Sequence, residues 1–190
     1  MSTEQQAPAR APAHAATALW HRWPTAVGLL AAAVALLAGG DRDTVITALF
    51  VALTCYLAAA ALGRPWVAWA AVPIASVAVT VGQILDVESW MIIGATSVML
   101  IVVGLVRRAS QPALTAQSLA MLGCGGVAMI ALVLVPVAGA VLASLSLIAH
   151  AIWDLIHYRR NAVVPRSLAE FCMFFDVPLG AAVIVLVLTS

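Results

Sequence analysis

The sequence contains no lysine. Schiff-base chemistry is therefore excluded, and with it retinal proteins and lysine-dependent aldolases. Charge of either sign is scarce: Arg, Asp and Glu together make up 9% of 190 residues, where a soluble domain carries about 25%. So little polar surface cannot keep the chain in water, which excludes a water-soluble enzyme, a nucleic-acid binder and a disordered regulator. Cysteine is rare as well. Cys55, Cys124 and Cys172 all fall within apolar runs, and an odd number of buried thiols is no disulfide framework.

What the chain has instead is hydrocarbon. Hydrophobic residues are 64% of it, and the mean hydropathy is +1.09. A membrane-spanning helix needs about 20 mostly apolar residues. Seven segments meet or approach this: Pro24–Ala38, Thr44–Leu62, Trp66–Leu85, Trp90–Val106, Ala116–Val135, Val137–Tyr158 and Leu168–Leu188. They are continuously apolar and do not alternate, so helices are expected and a closed barrel is not. The expectation is an all-α polytopic bundle of about seven transmembrane helices in one domain over 24–190. Residues 1–23, rich in Ala, Pro, Gln and Thr, read as a disordered cytoplasmic tail. The first span is short and ends at Gly39-Gly40. It could pass for the apolar part of a cleaved signal, but the long tail before it favours a retained span.

The arginines orient the chain. Arg10, Arg22, Arg64, Arg107, Arg108, Arg159, Arg160 and Arg166 fall on one side of a seven-span topology, and only Arg42 falls on the other, with Asp41, Asp43, Asp86 and Glu88. The positive-inside rule places the N-terminus in the cytoplasm and the C-terminus outside, in the cell membrane. Trp20, Trp23, Trp66, Trp69 and Trp90 stand at span starts, as an interfacial aromatic belt requires. Gly123-Cys124-Gly125-Gly126 in the fifth span reads as a close-packing face. On the acidic side, Asp86 stands out because Gln83 and Thr80 lie on preceding turns of the third span.

Ionisable groups inside lipid cost roughly 2.5–3.5 kcal/mol each on insertion scales, so they mark sites. His150, Asp154 and His157 are spaced i, i+4 and i+7, on one helical face that must point into the bundle. Span seven returns from the same side with Ser167, Glu170, Cys172 and Asp176. Ser167-x-x-Glu170 has the pattern of a capping box, which would give Glu170 a structural task. Asp176 has none, and it lies close to the depth of His150. Three readings follow. His150, Asp154, His157 and Asp176, with Glu170 a weaker fifth donor, suit a divalent ion such as zinc, iron or manganese. Alternatively, Asp154 or Asp176 acts as acid and His150 as base. A third reading pairs the acids with His and with Arg159 or Arg160 to lock the helices.

The pattern H-x-x-W-D-x-x-H-Y-R-R over His150–Arg160, followed by V-P-R-S-x-A-E-F-C-x-x-x-D over Val164–Asp176, resembles small uncharacterised bacterial membrane proteins that carry H-x-x-W-D-x-x-H. The resemblance implies a motif without a mechanism. In topology the chain is similar to progestin- and adiponectin-receptor-like membrane hydrolases, whose last span carries H-x-x-x-H where this one has Asp176 and no His. It is similar in size and span number to membrane terpene cyclases. Three function classes remain. One is an intramembrane enzyme acting on a lipid or isoprenoid at a cytoplasm-side site. The others are a proton- or ion-coupled carrier and a non-catalytic scaffold subunit.

Overall fold

A computed structural model describes residues 22–189, and in it the chain is 86% helix with no strand among the described residues. Seven helices follow in order: α1 (Trp23–Leu37), α2 (Arg42–Leu62), α3 (Val67–Ile84), α4 (Ser89–Val106), α5 (Gln111–Val133), α6 (Pro136–Arg160) and α7 (Arg166–Thr189). By length and composition α2 to α7 can each cross a membrane, whereas α1 is apolar but has 15 residues. The tail segment 1–21, with Arg10 and Trp20, lies outside the described residues.

Helix α2 is the axis of the bundle. It is apolar on every side and is the most enclosed of the spans, and α3, α4, α5, α6 and α7 all pack on it. An all-round hydrophobic helix belongs at a centre. Its start is fixed by Asp41, whose carboxylate accepts from the Thr44 amide at 2.9 Å and the Thr44 hydroxyl at 2.7 Å. Those two donors hold the Asp41 carboxyl below its ordinary pKa. Its end is Gly63, at φ 64°, a left-handed cap that favours glycine.

The α6–α7 and α1–α7 pairs are the other main contacts. Two glycines set them. A Cβ on Gly180 would stand 2.9 Å from the Ser144 carbonyl oxygen of α6, and one on Gly28 would stand 2.5 Å from the Phe171 carbonyl oxygen of α7. Helix α1 lies parallel to α7 in the bundle, with Thr25 beside Glu170 and Gly28 beside Phe171 and Phe174.

The two ends of the bundle differ as the arginine pattern predicts. Asp41, Asp43, Asp86 and Glu88 share one basin, and Arg42 reaches the Leu132 carbonyl there. Arg22, Arg64, Arg107, Arg108, Arg159, Arg160 and Arg166 lie at helix ends on the opposite face. Helix α5 begins at Gln111, five residues before the apolar run at Ala116. Pro112 suits a first turn, and Gln117, already inside the expected span, is buried in the core. The Gly-rich stretch packs only in part: Gly125 meets Phe50 of α2, while Gly123 and Gly126 face open space.

Candidate functional site

The buried polar groups of α6 sort into two networks. In the first, His157 Nδ1 lies 2.9 Å from the Trp153 carbonyl. A carbonyl only accepts, so Nδ1 carries the proton and Nε2 is an acceptor. Gln117 Nε2 donates to it at 2.9 Å, and Gln117 Oε1 accepts from Trp153 Nε1 at 3.1 Å. Every ring nitrogen and amide atom in this network has a partner.

The second network is not closed. His150 Nδ1 lies 2.9 Å from Asp176 Oδ2 and 3.4 Å from Asp154 Oδ2. The Tyr56 hydroxyl of α2 donates to Asp154 Oδ1 at 2.5 Å. All four side chains are buried, with His150, Asp154 and Tyr56 at 0% exposure and Asp176 at 1%. Yet His150 Nε2, Asp154 Oδ2 and Asp176 Oδ1 have no hydrogen-bond partner. Tyr56 stands edge-on between the networks, its ring 5.5 Å from His150 and 5.0 Å from His157.

The structure thus brings together His150, Asp154 and Asp176, whose donor atoms lie within 4.8 Å of one another. His157 is not with them. It shares their helical face, but both its ring nitrogens are engaged elsewhere, by the Trp153 carbonyl and by Gln117. Glu170 is not with them either. Six residues of helix turn it away from Asp176 and toward α1, where it accepts from Thr25 Oγ1 at 2.5 Å and lies 3.6 Å from Arg22. The capping box does not form. Pro165 provides the first carbonyl of α7, accepting from Ala169, and Ser167 instead accepts from Trp69 Nε1 at 3.0 Å. Arg159 and Arg160 are exposed and pair with neither acid.

Tyr56 and Gln117 were missed by sequence reasoning. Tyr56 carried one signal: a tyrosine near the middle of an apolar span cannot be a belt residue. Gln117 sat just inside the fifth span among small residues.

Two cavities flank the cluster. One of about 790 Å³ runs between α5 and α6, walled by Leu119, Gly123, Leu145 and Trp153, with His150 at its floor. The other, about 360 Å³, has Asp176, Cys172 and Cys55 in its wall together with Thr47 and Thr80. This second cavity adjoins the acidic basin, since Thr44, Thr47 and Gln83 line both. Asp176 thus lines a cavity that adjoins the acidic basin.

No protein family, curated protein or solved structure matches this chain.

Proposed function

We propose that the chain is an integral membrane enzyme of the cell membrane that acts on a lipid or isoprenoid, with His150, Asp154 and Asp176 holding a divalent metal. The arginine distribution supports a cytoplasmic N-terminus. One observation carries the proposal: two carboxylates and an imidazole converge in the apolar interior with unpartnered donor atoms. Two ionised carboxylates there need a compensating charge. Every described arginine lies at a helix end, too far to supply it. One divalent ion bound by neutral His150 balances both. A three-residue nitrogen–oxygen set suits zinc, iron or manganese and leaves coordination positions for water and substrate. Such an ion activates water or polarises a substrate oxygen. Tyr56 orients Asp154, in the manner of outer-shell partners that tune ligands. The α5–α6 groove is within the size range of ligand pockets, and its apolar walls suit a hydrocarbon chain whose polar group reaches His150.

The test is the metal content of the purified protein beside Asp154→Asn and His150→Ala. The expected result is a stoichiometric zinc, iron or manganese that both variants lose while remaining folded. Metal absent after mild extraction, or retained equally by both variants, overturns the metal-bound reading. Native mass spectrometry should also find a co-purifying lipid or isoprenoid that Gly123→Trp displaces from the groove.

A second reading, an ion- or proton-coupled carrier, is favoured by the cavity that leads from the acidic basin to Asp176. Gradient-driven uptake into liposomes, abolished by Asp176→Asn, would support it over the enzyme. No flux would sink it. The scaffold reading expects Asp154→Asn and His150→Gln to lower folded yield and nothing else.

A further inference from the structure

We infer that the acidic basin and the cavity beneath it form a one-sided route by which divalent cations reach the buried cluster, open toward Asp41, Asp86 and Glu88 and closed toward the arginine face. The destination rests on the proposed metal site; the route rests on its own geometry.

The basin encloses about 640 Å³. Asp41, Asp43, Asp86 and Glu88 line it, and no arginine is in its wall. Arg42, outside the wall, pairs with one of the four, its Nε 3.1 Å from Asp43, while its Nη1 donates to the Leu132 carbonyl at 3.3 Å, leaving Asp41, Asp86 and Glu88 without an arginine partner. Asp41, held ionised by its two Thr44 donors, keeps its charge across the ordinary pH range. Carboxylates in a concave site concentrate counter-ions locally.

Acidic side chains at a membrane face are commonplace, so the decisive observations lie deeper. Ser76, Thr80 and Gln83 of α3 are spaced i, i+4, i+7, and all three line the second cavity. Thr44 and Thr47 of α2 face the same space. Hydroxyl and amide oxygens thus run from the basin into the bundle along two facing helices. Partway along this cavity stands Asp176, 1% exposed, with Oδ1 unpartnered. A buried carboxylate oxygen without a donor, in the wall of a mostly apolar cavity that carries a row of hydroxyl and amide groups, points to a cation ligand.

The opposite end is sealed by aromatic rings. Trp23 of α1 lies 5.4 Å from Trp69 of α3, Trp69 lies 5.4 Å from Phe171 of α7, and Phe171 stacks on Phe175 at 5.9 Å. Trp69 is locked by its bond to Ser167. Trp23, Trp69 and Phe171 thus tie α1, α3 and α7 together on the arginine side of Cys172 and Asp176.

The two native thiols in the cavity make the route measurable. In full-length protein reconstituted with known orientation, with Cys124→Ser to remove the thiol of the other groove, a membrane-impermeant trimethylammonium methanethiosulfonate is applied to one face at a time. Thr47→Cys provides a less buried reporter should Cys55 and Cys172 react slowly. The expected result is modification from the acidic face at least tenfold faster than from the arginine face. Asp43→Asn/Asp86→Asn/Glu88→Gln should slow the cationic reagent about tenfold and a neutral one less than twofold, and should slow Mn²⁺ loading without changing its final stoichiometry. Equal or faster labelling from the arginine face overturns the route, as does equal slowing of the neutral reagent. Thiol labelling needs no bound metal, so a route that fails and a metal site that fails are told apart.

Discussion

Two polar networks share α6 and meet opposite fates. Around His157, Gln117 and Trp153 supply every missing partner. Around His150, about two turns deeper, three polar atoms are left open. Both are buried and both contain an imidazole, and the same Tyr56 ring stands against both. The difference is in what is left over. A closed network contributes packing and specificity. An open one that persists in an apolar interior holds capacity for something else, because each orphaned buried group costs free energy that the fold alone does not recover.

The largest expected effect comes from the open network. Asp176→Asn should abolish metal binding while leaving thermal stability unchanged or raised, since an uncompensated buried charge becomes a neutral amide of the same shape. Metal analysis with a melting curve checks both halves. Next is Tyr56→Phe, which keeps the ring and removes the donor to Asp154. Metal affinity should fall about 10- to 100-fold, the usual cost of losing an outer-shell partner, as read by competition with a chelator. Gln117→Leu strikes the closed network. It should lower stability by about 1–2 kcal/mol, the scale of hydrogen bonds between membrane helices, and leave metal content as it was. A Gln117 variant that loses metal would erase the distinction between the networks. The smallest effect is expected from Glu170→Gln. The amide can still accept from Thr25, and the lost partner, Arg22, is mostly exposed, so stability should change by less than about 0.5 kcal/mol with no change in metal.

These comparisons also mark what could be read in advance. The i, i+4 relation placed His150 and Asp154 on one face, and the returning α7 brought Asp176 to their depth. The same rule wrongly kept His157 with them. Periodicity reports an angle around the helix and says nothing of the partners that already engage both ring nitrogens. Glu170 was claimed by a capping pattern that Pro165 pre-empted. Tyr56 lies 98 residues from Asp154 and Gln117 lies 40 from His157, and no spacing rule connects positions on different spans. The cavity wall was illegible for the same reason: Ser76, Thr80 and Gln83 look like scattered polarity until α2 is placed opposite them.

By itself the sequence determined that this protein is a helical membrane bundle, where its spans run, and that its charges separate into an arginine end and an acidic end. Those properties follow from transfer free energy and from composition, and both are sums over residues in one dimension. Only the tertiary structure decided which polar groups meet, which stay unpaired and which cavities they border. Helix neighbours in lipid are selected by close packing at positions such as Gly28 and Gly180 and not by hydrophobicity, since lipid tails are as apolar as the helices themselves. That selection places Tyr56 between His150 and His157, and so separates a finished network from an unfinished one.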